Sequence, residues 1–228
     1  MKGKLYGVGI GPGDPELLTL KALRVIRESQ VVALPGKEPR ETVAYKIVEG
    51  AYPEIADKQL LAVAMPMTKD PEKLSASHDA GAAAVMRCLD QGLDVAFPTL
   101  GDPTVYSTYL YVHKRVAAAG YETEIVSGIT SFCAVAARLN TGLVEKAEPL
   151  HVIPASYQIE DALKLPGTKV LMKAGKKMAD VKRILKEQGL PAAMIENCGM
   201  PEERIFRSAE EIPEDAGYYS LIIVKEKP

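Results

Sequence analysis

The fold is decided at residues 5–15, which read Leu-Tyr-Gly-Val-Gly-Ile-Gly-Pro-Gly-Asp-Pro. A strand-like run over residues 5–10 enters a glycine-rich turn, and a helical pattern follows over residues 16–29. Aspartate is a good N-cap and proline suits the first helical position, so Asp14 and Pro15 predict where that helix begins. The stretch therefore predicts a strand-turn-helix unit whose turn lies at the carboxyl end of the strand, where ligands bind in open α/β sheets.

The rest of the chain repeats this alternation of short apolar runs and longer helical patterns, which is typical of α/β folds with sheets covered on both faces. Residues 140–149 form a polar connection without periodicity, so two sheets are favoured over one. We predict an N-terminal α/β domain over residues 1–124 and a C-terminal α/β domain over residues 125–228. The predicted strands span residues 5–10, 31–34, 60–64, 95–98, 124–127, 150–154, 169–173, 192–197 and 219–225, and the predicted helices span residues 16–29, 71–91, 104–119, 131–139 and 178–188.

Composition excludes several classes of protein. The chain has 228 residues, of which 47% are hydrophobic and 25% charged, so a disordered protein is excluded. Its formal net charge of −2 is unlike that of a protein that coats nucleic acid. The apolar runs are too short for a membrane span, and the N-terminus lacks the apolar core of a signal peptide. Cys88, Cys133 and Cys198 are scattered and odd in number, so we expect a cytoplasmic protein with no disulfide framework and no metal site.

The glycine-rich turn does not match the common nucleotide-binding loops. A dinucleotide fingerprint needs glycines at relative positions 1, 3 and 6, but counting from Gly7 places Pro12 sixth and counting from Gly9 places Asp14 sixth. This spacing disfavours a nicotinamide-dependent oxidoreductase. A phosphate-binding P-loop is excluded because no Gly-Lys-Ser/Thr follows. Two interpretations stay open: a turn that lets a large ligand approach the backbone closely, or a tight connection between strand and helix.

Two further turns resemble the first. Gly-Asp-Pro at residues 13–15 recurs at residues 101–103, again between a predicted strand and a predicted helix, and many hydroxyl groups follow it over residues 104–109. A third strand leads into Ser-Gly-Ile-Thr-Ser at residues 127–131. Each turn read alone is explained by helix capping, but the glycine-flanked repeat favours a shared ligand site.

The three runs together resemble the tetrapyrrole (corrin/porphyrin) methylases, in order and in spacing, over almost the whole chain. Within that family, Leu-Gly-Asp-Pro-Thr-Val-Tyr-Ser-Thr at residues 100–108 and Leu-Met-Lys at residues 171–173 are most similar to the precorrin-2 C20-methyltransferases. Uroporphyrinogen methylases usually carry a glycine where Leu100 stands. Asn197-Cys198-Gly199 resembles the late loop that touches the cofactor, although Asn-Gly-Thr is common there.

The resemblance implies a fold of two α/β domains with S-adenosylmethionine (SAM) in the cleft between them. It implies methyl transfer to carbon 20 of precorrin-2 or cobalt-precorrin-2 in cobalamin biosynthesis. Alternatives are another corrin carbon, a non-tetrapyrrole acceptor, or a SAM-binding protein without activity. Carried over residue by residue, the cofactor contacts, mostly through backbone atoms, would be Pro12, Leu100, Gly101, Asp102, Val105, Thr130, Ser131, Met172 and Cys198.

A proton must leave the acceptor during methyl transfer, and four side chains are candidates for a catalytic role. Tyr106, Tyr109 and His113 would share one face of a helix over residues 104–119, and Asp14 lies at the first turn. The alternatives are a helix face packed on a neighbour and a simple cap. We expect both tyrosines to face the acceptor and to orient it, because a phenol with a pKa of about 10 is a poor base.

The acceptor's carboxylates need positive charge, and a second copy of the chain is an expected partner. The cationic candidates are Lys37, Arg40, Lys173, Lys176 and Lys177, each of which is otherwise ordinary solvated surface. The resemblance implies a homodimer, and the apolar residues over 43–52 and 60–67 are the expected interface. No nucleic-acid or membrane partner is expected.

Overall fold

The computed structural model describes residues 1–66, 68, 70–154 and 159–226, with the backbone but not the side chain of Lys176. The chain forms two compact units, Met1–Thr130 and Ser131–Pro228. Each unit contains one five-stranded sheet, which confirms the predicted α/β class and the prediction of two sheets. Within the described ranges, no helix is both long enough and apolar enough to cross a membrane.

The first unit is a parallel sheet with helices on both faces. Its strand order is β3-β2-β4-β1-β5, so β1 lies between β4 and β5. Successive residues of a strand serve opposite cores: Val32 and Leu34 pack on one face, and Val31 and Ala33 on the other. The strands are β1 Leu5–Gly9, β2 Val31–Pro35, β3 Gln59–Val63, β4 Val95–Thr99 and β5 Thr123–Val126, and the helices are α1 Leu20–Glu28, α2 Val43–Ala51, α3 Pro71–Asp90 and α4 Tyr109–Ala118.

Helix starts follow the capping chemistry only in part. Asp70 caps α3 by accepting hydrogen bonds from the N–H groups of Glu72 and Lys73, as its Asp-Pro sequence indicates. The prediction that α1 begins at residue 16 is wrong. Residues Pro15–Leu17 form a short 3₁₀ turn, and α1 begins after Thr19, whose hydroxyl accepts a hydrogen bond from the Ala22 N–H.

The segment after β4 also departs from the prediction. Helix α4 begins at Tyr109 rather than at residue 104. Tyr106 has a φ of 49°, which a right-handed helix cannot contain. The prediction that Tyr106 shares a helix face with Tyr109 and His113 is therefore wrong, although Tyr109 and His113 do lie one turn apart on α4.

The second unit is a mixed sheet of order β6-β7-β10-β8-β9, in which β10 runs antiparallel to both of its neighbours. Helix α7 packs its apolar stripe, which includes Val181 and Leu185, against the sheet. Sequence reasoning did not identify β9 or the short helix α6. The strands are β6 Leu150–Pro154, β7 Thr168–Met172, β8 Ala192–Glu196, β9 Arg204–Phe206 and β10 Ser220–Val224, and the helices are α5 Ser131–Arg138, α6 Ile159–Leu163 and α7 Met178–Glu187.

Candidate functional site

The three turns that the sequence singles out lie side by side. Strands β4, β1 and β5 are adjacent and parallel, so their carboxyl ends meet at one edge of the first sheet. The turns over residues 10–14, 100–103 and 127–130 follow these three strands directly. This edge is where an open α/β sheet binds its ligand.

Glycines let the backbones of these turns touch one another. The Gly101 N–H donates to the Gly11 carbonyl at 2.8 Å, and the Gly11 N–H donates to the Gly101 carbonyl at 3.3 Å. A Cβ on Gly9 would lie 2.5 Å from the Gly128 nitrogen, and one on Gly128 would lie 2.7 Å from the Gly9 Cα and would overlap the Gly101 carbonyl oxygen. Gly9 and Gly128 therefore make room for protein backbone rather than for ligand, which favours the tight-connection interpretation at these two positions.

Asp102 ties two of the turns together. Its carboxylate is buried, with 8% of the residue exposed. One carboxylate oxygen accepts hydrogen bonds from the Thr104 N–H at 2.8 Å and the Thr104 hydroxyl at 2.5 Å, while the other accepts one from the Gly128 N–H at 2.9 Å. Asp102 therefore acts as a clamp between the turns after β4 and β5.

The electrostatics of Asp102 follow from this bonding. Burial alone would raise the pKa of the carboxyl. The hydrogen bonds from Thr104 and from the Gly128 N–H lower the pKa by more than burial raises it, so the net pKa is below the usual value. The carboxylate is consequently ionised at neutral pH.

The Thr130 hydroxyl is the polar group at this edge whose environment is incomplete. Its oxygen is buried and has no hydrogen-bond partner among the residues that the structure describes. A buried hydroxyl without a partner costs free energy, so such a group is expected to bond a ligand. Of the other predicted cofactor residues here, Pro12 is buried, whereas Leu100 and Val105 are partly exposed.

The second unit has a comparable edge. The carboxyl ends of β7 and β8 and the start of β10 lie together, because Met172 pairs with Leu221, and Glu196 with Ser220. The residue that follows each of the first two strands has a left-handed backbone, with φ of 58° at Lys173 and 54° at Asn197. Non-glycine residues in this conformation cluster at functional sites. Two predicted cofactor residues, Met172 and Cys198, are at this edge, and Ser131 begins α5.

Sequence reasoning missed the polar network and the aromatic pair of this second edge. The buried carboxylate of Glu196 accepts hydrogen bonds from Arg204 and, at 2.5 Å, from the Gly217 N–H. That bond anchors the loop carrying Tyr218 and Tyr219, whose rings meet edge to face with centroids 5.3 Å apart. Both tyrosines are about half exposed, and the Asn197 N–H donates to the Tyr219 carbonyl. The sequence signal that could have indicated this aromatic pair is two neighbouring tyrosines directly before an apolar strand.

The sequence matches the family model of the tetrapyrrole (corrin/porphyrin) methylases over residues 4–213. The chain belongs to this family. The matched region includes all three turns of the first edge and the residues that follow β7 and β8 in the second, and it ends before β10.

Three relatives that match this methylase over almost their full length are C(20)-methyltransferases by name. The probable cobalt-precorrin-2 C(20)-methyltransferase of Methanocaldococcus jannaschii is 34% identical, over 97% of this chain and 96% of the relative. The cobalt-precorrin-2 C(20)-methyltransferase of Salmonella typhimurium is 32% identical, over 100% and 98%. The precorrin-2 C(20)-methyltransferase of Sinorhizobium sp is 31% identical, over 99% and 98%. A crystal structure of uroporphyrin-III-C-methyltransferase from Thermus thermophilus is similar at a TM-score of 0.68, with 28% identity over 99% of this chain and 93% of that chain.

The catalytic candidates of this tetrapyrrole methylase are in different environments. Tyr109 is fully buried, and its hydroxyl lies 3.1 Å from His113 Nδ1. A Cβ on Gly7 would lie 2.7 Å from that hydroxyl, so the tyrosine packs directly on β1. Burial raises the pKa of Tyr109 and lowers that of His113, which keeps both neutral. This environment favours the packed-helix alternative for Tyr109.

Tyr106 and Asp14 lie outside that core. Tyr106 is exposed in the turn after β4, at a left-handed backbone position within the hydroxyl-rich stretch. Asp14 caps the 3₁₀ turn by accepting a hydrogen bond from the Glu16 N–H at 2.9 Å. Of the four candidates, Tyr106 is the one with an exposed side chain beside the turn cluster.

The cationic candidates are spread over both units. Lys37 is exposed after β2, whereas Arg40 donates to the Ala56 carbonyl at 2.9 Å. Lys173 follows β7 at the second edge, Lys177 is exposed, and the side chain of Lys176 lies outside the described part of the chain. Lys173 is thus the cation that the structure places at a candidate edge.

Proposed function

We propose that this chain is a SAM-dependent C-methyltransferase that methylates carbon 20 of precorrin-2 or cobalt-precorrin-2 in cobalamin biosynthesis. The observation that carries the proposal is that three relatives, which match this chain over at least 97% of its length, are all named as C(20)-methyltransferases of precorrin-2 or cobalt-precorrin-2. The adjacent turns support it, because a ligand site at that edge needs their backbone N–H groups and hydroxyls at hand.

The residues of the first edge fit the methyl donor. The buried hydroxyl of Thr130 has no partner in the described structure, and it lies on the turn that the Asp102 clamp holds. The backbones of Gly101 and Gly11 are fixed by mutual hydrogen bonds, so the edge is preorganised. Pro12, Leu100, Gly101, Asp102, Val105 and Thr130 are the proposed contacts here, and Ser131, Met172 and Cys198 stay predicted contacts of the second unit.

Bound SAM supplies a methyl group on a positively charged sulfur, which an electron-rich carbon of the acceptor attacks in line. The chain itself has to hold the reactants aligned, and alignment alone is worth about 7–11 kcal/mol of the barrier. We assign the rigid turn cluster to this task. Tyr106 is the proposed orienting group for the acceptor. The buried Tyr109 instead packs on β1, and His113 lies against the Tyr109 hydroxyl.

Incubation with SAM and either metal-free or cobalt-loaded precorrin-2 tests the proposal. We expect one added methyl group by mass spectrometry and its assignment to carbon 20 by NMR with ¹³C-labelled SAM. The comparison of the two acceptors decides which one is natural. A methyl group at another corrin carbon would replace the proposed acceptor position, and the absence of transfer to either acceptor would contradict the function.

The Thr130 hydroxyl gives a sharper test of the donor site. Thr130→Val removes a buried polar atom that lacks a partner and keeps the side-chain shape, so the free energy of unfolding should stay equal or rise. SAM affinity should fall by about 2- to 12-fold, the equivalent of one hydrogen bond of roughly 0.5–1.5 kcal/mol. Thermal melts and calorimetric titration measure the two quantities.

Thr123→Val is the matched control, since Thr123 begins β5, the strand whose other end leads into the turn that carries Thr130. Thr123→Val should leave SAM affinity unchanged. Equal affinity of wild type and Thr130→Val would contradict the contact.

We also propose a cytoplasmic homodimer. The structure corrects the predicted interface, because α2 buries Ala44, Tyr45, Ile47 and Val48 in the core, and Met67 lies outside the described residues. The edge strand β3, with its part-exposed leucines, remains as the proposed contact. Light scattering at micromolar concentration should give twice the mass of one chain, and a single-chain mass would exclude the dimer.

A further inference from the structure

The second unit contains a pocket that the proposed reaction does not use. Its volume is about 460 Å³, within the range of small-molecule sites. The lining combines an apolar floor, which includes Leu139, Leu185, Leu190 and Ile223, with charged side chains. All of the lining residues belong to the second unit.

The pocket lies at the opposite end of the sheet from Met172 and Cys198. It is lined by Ala192, where β8 begins, whereas Cys198 follows the end of that strand. A strand rises about 3.3 Å per residue, so about 13 Å separates Ala192 from Glu196. The pocket is therefore distinct from the edge at which the donor contacts are predicted.

Positive charge dominates the polar part of the lining. Lys186 is in the last turn of α7, Arg207 follows β9, and Lys225 follows β10 and donates to the Leu143 carbonyl. Among the described residues, neither Lys186 nor Arg207 forms a salt bridge. Hydrogen bonds within its own loop, together with the nearby charges of Lys186 and Lys182, lower the pKa of Glu210. This carboxylate therefore offsets one of the three lining cations, and the lining keeps a net positive charge.

We propose that this pocket binds a small amphipathic organic anion. The ligand's carboxylate pairs with Arg207 and Lys186, which can both turn toward it because they are exposed. Its apolar body covers the floor between α7 and β10, and burial of that surface supplies the rest of the affinity. The proposal concerns a second ligand site and does not depend on the identity of the methyl acceptor.

A pair of probe molecules that differ only in charge tests the proposal. Indole-3-propionate is an aromatic body with a carboxylate, and indole-3-propionamide is its neutral counterpart. We titrate each into the full chain with saturating S-adenosylhomocysteine present and follow side-chain methyl signals by ¹H–¹³C NMR. With the acid, we expect saturable shifts at the methyl groups of Leu139, Leu190 and Ile223. The affinity obtained from the titration should be at least about tenfold lower with the amide.

Variants at exposed positions identify the groups that bind. Arg207→Gln and Lys186→Gln should each weaken binding of the acid about threefold, and together about tenfold, as expected for solvent-accessible charge pairs. Thr141→Trp, at an exposed lining position, should block the pocket. Arg183→Gln is the matched control, because Arg183 is on α7 but pairs with Glu187 and does not line the pocket.

Three results would overturn the proposal. They are the absence of saturable shifts with the acid, equal affinity for acid and amide, and equal loss of affinity in Arg183→Gln and Arg207→Gln. If Thr141→Trp perturbs methyl signals far from the pocket, the two charge variants still decide the outcome.

Discussion

Asp102→Ala is expected to lower the free energy of unfolding by about 2–4 kcal/mol and to reduce SAM affinity by more than tenfold. The carboxylate is buried and accepts three hydrogen bonds from Thr104 and Gly128. A hydrogen bond to a charged group is worth about 1.5–3 kcal/mol, and the total is smaller than the sum because water can bond the freed donors of the exposed Thr104. The loss separates the turn after β5 from the turn after β4. Urea unfolding and calorimetric titration with SAM measure the two effects.

Asp70→Ala is the matched control for this variant. Asp70 also precedes a proline, and it caps α3 through the N–H groups of Glu72 and Lys73. Its loss should cost only the roughly 0.5–2 kcal/mol of a helix cap and leave SAM affinity unchanged. If Asp102→Ala behaves like Asp70→Ala in both measurements, Asp102 is a cap and not a clamp.

The clamp also predicts how stability depends on pH. The pKa of Asp102 is depressed in the folded protein, so its ionised form stabilises the fold above the unfolded pKa of about 3.9 and this contribution is lost as the pH falls through the folded value. Asp102→Asn replaces one of the two accepting oxygens by an NH₂ group, which cannot accept a hydrogen bond from Thr104 or Gly128. The stability difference between wild type and Asp102→Asn should therefore shrink below about pH 4, as measured by urea unfolding over a pH series.

Local sequence predicted the positions of the turns but not their roles. Glycine, aspartate and proline between a strand and a polar stretch indicate a turn wherever they occur, so the edge of the first sheet could be predicted. Whether an aspartate caps a helix depends on where the following chain goes. After Asp70 the chain enters α3, whereas after Asp102 it passes through the left-handed Tyr106 before α4 begins. The donor that completes the clamp is Gly128, 26 residues further along the chain.

The second edge was harder to predict because its parts come from distant segments. Glu196, Arg204 and Gly217 are ordinary surface-type residues in the sequence, and only the antiparallel pairing of β8 with β9 and β10 brings them together.

Helix α2 was misinterpreted for a different reason, because its apolar residues were predicted to form a dimer interface. Their spacing fits a helix face, but a face that packs on the chain's own sheet has the same pattern as one that packs on a second copy.

Gly128→Ala should have an effect as large as that of Asp102→Ala, by a different physical route. A Cβ at this position would lie 2.7 Å from the Gly9 Cα and would overlap the Gly101 carbonyl oxygen, and both obstacles are backbone atoms that cannot rotate away. The turn must therefore move away from β1 and β4, which breaks the hydrogen bond to Asp102 and displaces the Thr130 hydroxyl. We expect a loss of about 2–4 kcal/mol of stability, within the range for strained backbone and overpacking, and no measurable SAM binding.

Gly142→Ala provides the comparison, since a Cβ there meets no described atom within 4 Å. Replacing a glycine in open space reduces the entropy of the unfolded chain, so this variant should be neutral or up to about 1 kcal/mol more stable and should bind SAM normally.

The double variant Gly128→Ala/Asp102→Ala decides whether Gly128 and Asp102 stabilise the edge through one shared interaction. If the bond between them is the shared element, its loss in one variant leaves less to lose in the other, and the double variant should be less destabilised than the sum of the two single effects. Simple additivity would show that the clamp and the backbone contact stabilise the edge independently.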